Sequence, residues 1–219
     1  MSCLGLLNLC LLSSSSATLH NWKGCTTTAV CGMNAAVVYV PRMLLFKQKN
    51  MNNLLMKHCP TGGVGVPSPS GWMDSSVFVI YLKHFVACVK PSRSNLVLVI
   101  PNGHQCHTSI EAVKLARENY ITLMTISPHT SHCLQPLHLT FFSPLKKAYN
   151  QEVDKWMTHY PGRHINDYDL CELLTPAYQR AACSVAMPID QLQTHYRRQL
   201  EPLSQSLIVY YRCLATSKN

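Results

Sequence analysis

The sequence predicts an α/β domain in which a β-hairpin is followed by helices and strands in alternation. Three observations lead to this fold class. Residues 97–100 are four consecutive branched apolar residues, which is typical of a strand covered on both faces. The pair Asn102 and Gly103 turns the chain directly after this strand. Apolar residues recur at helical spacing both before and after it, and such alternation indicates helices layered against a sheet.

The hairpin and the first helix come from the first half of the chain. Residues 26–31 and 35–40 are predicted strands, and residues 43–46 extend the second one. Residues 60–71 hold four glycines and three prolines and are predicted to form a loop. Asp74 has the chemistry of a helix N-cap. The apolar stripe of the helix that follows consists of Phe78, Leu82, Phe85 and Val89.

The second half continues the alternation. Thr108 and Glu111 match a capping box for a second helix. The predicted buried face of that helix is Ile110, Val113 and Ala116. Residues 121–126 are predicted to form a further strand, and residues 169–182 are predicted to form a last helix. A long helix lies between them, and its stripe consists of Phe141, Leu145, Tyr149, Val153, Trp156 and Tyr160.

Composition limits the classes of function. The chain is 47% hydrophobic and 13% charged, so it is not disordered by composition. Lysine and arginine exceed the acids by 19 to 10, a net charge of +9 that favours acidic or phosphate-bearing partners. The first carboxylate of the chain is Asp74. Eleven cysteines without a CxxC motif argue against a disulfide framework and indicate a reducing compartment.

Histidines cluster after two predicted strands. His104 and His107 form one H-x2-H pair, and His129 and His132 form another, with His138 close by in sequence. Imidazole is a good zinc ligand, so a zinc site is one interpretation. The alternative is a set of turn and hydrogen-bonding histidines around a cleft.

The same segments carry a family resemblance. Residues 102–107 read NGHQCH, residues 128–137 read PHTSHCLQPL, and a helix with Phe-x-x-Leu-Lys follows. Together with MNAA at residues 33–36 and SPSGWM at residues 68–73, they resemble the DDE superfamily endonuclease domain of pogo, Tigger and jerky-like transposases. The resemblance divides the chain into a leader (1–21), a degenerate DDE endonuclease domain (22–182) and a divergent tail (183–219).

The resemblance implies an RNase H-like mixed sheet flanked by helices, with three carboxylates that hold two Mg²⁺ or Mn²⁺ ions. Asn102 stands where the family has its second acid, and His138 where it has its third. The first acid belongs to a strand upstream of Trp22, and no acid precedes Asp74. Neutral amide and imidazole are poor ligands for magnesium. Catalysis and metal binding are therefore predicted to be lost, and no cofactor is expected.

Three functional hypotheses follow. The first is a catalytically silent DDE domain that binds DNA weakly, without sequence preference, in the nucleus. Its candidate contacts to nucleic acid are Arg42, Lys47, Lys49, His104, His132, Lys146 and Lys147. The second is a protein-interaction or non-functional remnant of a transposase, and the third is a zinc-dependent nuclease built from the histidines. No membrane partner is expected.

The resemblance also has a structural consequence. The family's first strand lies at the centre of the sheet, and the segment that would supply it is missing from the matched region. We therefore expect an RNase H-like sheet that lacks its first strand. Residues 4–12 are apolar enough to replace that strand, which is a hypothesis of its own.

Overall fold

The structure is a computed structural model that describes residues 7–20, 26–34, 38–101, 104–125, 137 and 141–184. The strands are Leu7–His20 (β1), Thr26–Asn34 (β2), Tyr39–Phe46 (β3), Val64–Pro67 (β4), Leu96–Ile100 (β5) and Ile121–Leu123 (β6). The α-helices are Ser75–Val89 (α1), Ile110–Glu118 (α2), Phe142–His159 (α3) and Leu170–Ser184 (α4). Short 3-10 helices span Asn53–Met56 and Gln105–Thr108.

The described strands form one mixed sheet in the order β4-β3-β2-β1-β5-β6. β1, β2 and β3 are antiparallel neighbours, whereas β1, β5 and β6 run parallel to one another. An antiparallel hairpin beside parallel strands, connected through helices, confirms the predicted mixed α/β class. The three-part division of the chain at residues 22 and 183 stays a prediction.

The centre of the sheet corrects one expectation. The position expected to lack a strand is occupied by β1, which pairs with β2 on one side and with β5 on the other. The replacement strand runs over residues 7–20 and is therefore longer than the segment 4–12 proposed from the apolar run. Strands pair through backbone groups, which every residue in this segment supplies. The serines at residues 13–16 can therefore continue the strand although they are not apolar. The register with β2 shifts between Ser13 and Ala17.

A second correction concerns residues 60–71, which are not wholly a loop. Val64–Pro67 forms the edge strand β4, parallel to β3. An edge strand needs hydrogen bonds on one side only, so it tolerates the glycine and the proline that concealed it in the sequence.

The helices begin and end close to the predicted positions. The Asp74 carboxylate accepts a hydrogen bond of 2.8 Å from the backbone N–H of Val77 and caps α1 as predicted. The cap of α2 is Ser109, whose hydroxyl accepts from Ala112, and not Thr108. Ile110 is 76% exposed, so the predicted buried face of α2 is wrong at that residue. The buried positions are Ala112 and Ala116, one turn apart.

Both faces of β3 are covered. Met43 and Leu45 belong to the core formed with α1 and α2. Leu44 and Phe46 alternate with them along the strand and are also fully buried. At the start of β3, the Tyr39 ring lies 5.1 Å from the ring of Phe141 and 5.6 Å from that of Tyr178. Residues beside α3 and on α4 therefore pack against β3.

Candidate active site and nucleic-acid interface

The expected site lies where β5 ends, beside β1. Leu7 to Leu11 pair in parallel with Leu96 to Ile100, so the two strands run together up to the turn. Asn102 and His138 lie outside the described residues. No aspartate or glutamate occurs in the sequence of β1. The strand adjacent to β5 therefore offers no carboxylate for a metal ion.

After the turn, the Gln105–Thr108 segment places two histidines differently. His104 is exposed, and its Nδ1 lies 3.0 Å from the Cys106 sulfur. The same Nδ1 accepts a hydrogen bond of 3.4 Å from the backbone N–H of Cys106. His107 is only 1% exposed, and its ring centroid lies 4.3 Å from that of Phe78 in an edge-to-face contact. His107 is therefore a packed side chain that joins the turn to α1, while His104 faces solvent.

Burial determines the charge of this turn. Burial, with a smaller contribution from His104, lowers the pKa of His107 to about 4, so its imidazole is neutral near pH 7. Burial and the Asp74 carboxylate raise the pKa of Cys106 to about 11, so it stays a thiol. Sequence reasoning did not place Asp74 close to this turn, since 32 positions separate Asp74 from Cys106. An uncharged, packed turn suits a structural role.

This burial predicts a pH dependence of stability. An unfolded histidine binds a proton at its ordinary pKa of about 6.5, whereas folded His107 does so only near pH 4. The unfolded state therefore binds more protons between these values, and stability falls as the pH is lowered through this window. We expect a loss of about 2 kcal/mol between about pH 7 and about pH 5, measured by urea unfolding.

The control for this measurement is another histidine. His107→Gln removes the titrating ring and should flatten the stability profile between these pH values. His159→Gln, at an exposed position of α3, should leave the slope unchanged. Equal slopes for the wild-type protein and His107→Gln would contradict the assignment.

Three of the described carboxylates are candidates for metal ligands. Glu152 on α3 forms ion pairs with Lys155 at 3.0 Å and with Arg180 on α4. Glu111 is exposed in the first turn of α2, and Asp74 caps α1. In the part of the chain that the structure describes, no group of three or more His, Cys, Asp or Glu side chains could hold a metal ion. The carboxylates that a pair of magnesium ions requires are therefore not assembled among the described residues.

The predicted nucleic-acid contacts fall into two groups. Arg42 is only 5% exposed, beneath α4, so the interpretation of this residue as a phosphate contact is wrong. The sequence could not reveal this, because the covering residues lie over 130 positions away. The lysines at 47, 49, 146 and 147 are exposed, as is His104, and His132 lies outside the described residues.

Comparison with known families decides the identity of the domain. The sequence profile of the family described as DDE superfamily endonuclease matches residues 26–175, more than half of the chain. The chain belongs to this family. The resemblance to DDE superfamily endonucleases is thereby confirmed, and the match covers the hairpin, the β5 turn, α3 and the start of α4 of the DDE domain.

One curated relative is 30% identical to the DDE chain over 159 residues. It is named MFS-type transporter clz9, from Cochliobolus lunatus. The match covers 72% of this chain but only 17% of that protein, so the chain spans about a sixth of its relative's length. Among the described residues of the DDE domain, no helix is both long enough and apolar enough to cross a membrane.

Solved structures similar to the DDE domain include the catalytic domain of Mos1 mariner transposase. The TM-score is 0.48 at 10% identity, with 81% of this chain and 84% of the other covered. The Mos1 strand transfer complex gives a TM-score of 0.45 at 11% identity, covering 84% and 56%. A simian T-cell lymphotropic virus intasome in complex with PP2A regulatory subunit B56 gamma gives 0.43 at 12% identity, covering 84% and 58%.

Proposed function

We propose that this chain is a catalytically inactive DDE domain, derived from a transposase of the pogo, Tigger and jerky-like type, that binds DNA weakly and without sequence preference. The observation that carries the loss of catalysis is the sequence of β1. This strand runs alongside β5 up to the expected site and holds no carboxylate. The family's other two acid positions hold Asn102 and His138.

The chemistry explains why these replacements abolish catalysis. Cleavage of a phosphodiester by two metal ions requires that both the attacking and the leaving oxygen be stabilised by cations. Mg²⁺ is held by anionic oxygens and waters, and a neutral amide or imidazole does not replace the missing negative charge. Two of the described acids already have partners, since Glu152 is paired with Lys155 and Arg180 and Asp74 caps α1.

The proposed DNA binding is supported by charge and exposure. The chain carries a net charge of +9, and Lys146 and Lys147 are adjacent, exposed residues early in α3. Lys47 and Lys49 are exposed just after β3. Exposed lysines bind phosphates as point charges and read no base sequence. Nuclear localisation is part of the same proposal.

Removing two of these lysines provides the test. In gel shifts with a mixed-sequence DNA duplex, the double variant Lys146→Ala and Lys147→Ala should bind about fivefold more weakly at low salt. The slope of log affinity against log salt concentration should become shallower by about two, because each substitution removes one phosphate contact and the counterion release that goes with it. The matched control is Lys83→Ala with Lys114→Ala, two exposed lysines on α1 and α2.

Two outcomes would contradict the proposal. Absence of any retardation by the wild-type protein at about 50 mM salt would reject DNA binding and favour a protein-interaction remnant of a transposase. Equal weakening by both pairs of substitutions would show that net charge alone is responsible and that α3 is not the contact surface.

A further inference from the structure

A buried arginine lies between β3 and α4. The Nη2 atom of Arg42 donates a hydrogen bond of 2.7 Å to the hydroxyl of Thr175, and its guanidinium carbon lies 4.7 Å from the centre of the Tyr178 ring. Its Nε has no hydrogen-bond partner within the described structure. None of the ion pairs among the described residues involves this arginine. A buried guanidinium is costly unless an anion lies close to it.

The segment that follows β3 is held against α4 at the same place. The Cys171 thiol donates to the carbonyl of Leu55 at 3.1 Å, and the Thr175 hydroxyl donates to the carbonyl of His58 at 3.1 Å. Cys171 and Thr175 are four residues apart, so they lie on one face of the helix. Cys59, which follows His58, is half-buried, and its thiol interacts with that of Cys171.

The surroundings of Cys59 and Cys171 shift the pKa values of their thiols in opposite directions. Interaction with the Cys171 side chain, together with the charge of Arg42 and a hydrogen bond from it, lowers the pKa of Cys59 to about 6 although burial opposes this. Interaction with the Cys59 side chain, burial and the negative charge of Cys59 raise the pKa of Cys171. At neutral pH, Cys59 is therefore a thiolate beside the Arg42 cation, and Cys171 keeps its proton.

We propose that Cys59 and Cys171 form a redox-active thiol pair, in which Cys59 reacts with peroxides and Cys171 closes a disulfide that ties the loop after β3 to α4. Three features that favour a reactive cysteine coincide here: partial exposure, a neighbouring cation and a second thiol on the helix face that holds residues 55–58. This modification site is independent of the proposed DNA binding, because none of its residues belongs to the exposed lysines.

The reaction balances with hydrogen peroxide as the oxidant. The Cys59 thiolate attacks one peroxide oxygen, the O–O bond breaks, and the hydroxide that leaves takes up a proton to form water. Cys59 is now a sulfenic acid. The Cys171 sulfur attacks the Cys59 sulfur, the S–S bond forms, and the sulfenic oxygen leaves as a second water with the Cys171 proton. The two thiols lose two electrons in total, which reduce one peroxide.

Peptide mapping of the reduced full-length protein tests this pair. Trypsin leaves each of the two cysteines as the single cysteine of its peptide: Cys59 in residues 58–83 and Cys171 in residues 164–180. After peroxide treatment and blocking of free thiols, a non-reducing digest should contain these two peptides joined, and dithiothreitol should separate them. The exposed Cys88 and Cys183 should remain free thiols under the same conditions.

A second readout does not depend on the crosslink. At about pH 5.5, iodoacetamide should alkylate Cys59 about tenfold faster than an ordinary exposed thiol, because its larger thiolate fraction outweighs its weaker nucleophilicity. Cys171→Ala should shift the inflection of the rate profile of Cys59 to higher pH, and peroxide should leave a sulfenic acid there that dimedone traps. Cys183→Ala, on the same helix, is the matched control and should change neither result.

Three results would overturn the proposal. The first is an unlinked pair of peptides after peroxide treatment of the wild-type protein. The second is direct oxidation of Cys59 to a sulfinic acid while Cys171 remains a free thiol. The third is alkylation of Cys59 no faster than that of Cys88 at about pH 5.5.

Discussion

Purified protein is expected to leave supercoiled plasmid uncut in the presence of magnesium or manganese. The two metal ions of an active DDE site require carboxylates on two neighbouring strands and at the start of a helix. This chain has none on β1, and we expect Asn102 and His138 to occupy the other two positions. Each missing ligand should cost several kcal/mol of transition-state stabilisation, and ~1.4 kcal/mol corresponds to a tenfold loss in rate. The measurement is conversion of supercoiled to relaxed plasmid over time.

Reversion variants serve as controls for this prediction. Asn102→Asp with His138→Asp restores two acids but leaves β1 without one, so this double variant should also fail to cut. Ser13→Asp adds a third carboxylate on β1, two residues beyond the last pair with β5. Cutting that requires all three substitutions would support loss of ligands as the cause. Cutting by the wild-type protein that is abolished by His138→Ala would instead favour a histidine-based nuclease.

Cys10→Pro is expected to destabilise the fold severely. The backbone at Cys10 is paired on both sides, opposite Asn34 of β2 and Val99 of β5. Proline has no N–H to donate and does not fit the middle of a sheet. We expect a loss of about 3 kcal/mol or more in the free energy of unfolding, measured with urea.

Ser15→Pro provides the matched control within the same strand. Ser15 lies where the register between β1 and β2 shifts, and no paired residue is assigned opposite it. Its substitution should cost much less than that of Cys10. A chain that starts at Trp22 lacks the whole strand and should be digested rapidly by protease. If its core were as resistant as that of the full chain, β1 would not be a structural strand.

The sequence predicted best those elements whose signals are local. The Asp74 cap of α1 and the apolar run of β5 each depend on residues close together in the chain, and the structure confirms them. The stripe of α3 is confirmed at Leu145, Tyr149 and Trp156, whereas Tyr160 at its end is exposed. β4 was missed because an edge strand pairs on one side only and tolerates residues typical of loops. The cap of α2 was misplaced by one residue, because Thr108 and Ser109 are chemically equivalent caps.

The site shows a similar division. Absence of acids before Asp74 can be read directly from the sequence, whereas the correspondence of Asn102 and His138 to the family's acid positions stays a prediction. Burial of Arg42 cannot be read from the sequence, because it depends on Thr175 and Tyr178 of a helix distant in the chain. Pairing of Cys59 with Cys171 depends on the same long-range packing. Lysine and arginine contribute equally to net charge, and only the fold shows which of them reaches solvent.

The position of β1 has a consequence for biosynthesis. The neighbour of Leu7 on one side of the sheet is Leu96, which leaves the ribosome about ninety residues after Leu7. The middle of the sheet therefore cannot be completed until β5 has been synthesised, and until then β1, already able to pair with β2, keeps unpaired backbone groups along its other edge. Proteins with such distant pairings assemble slowly and are prone to aggregate before they are complete. Yield in a heterologous host should therefore improve at low growth temperature or with added chaperones.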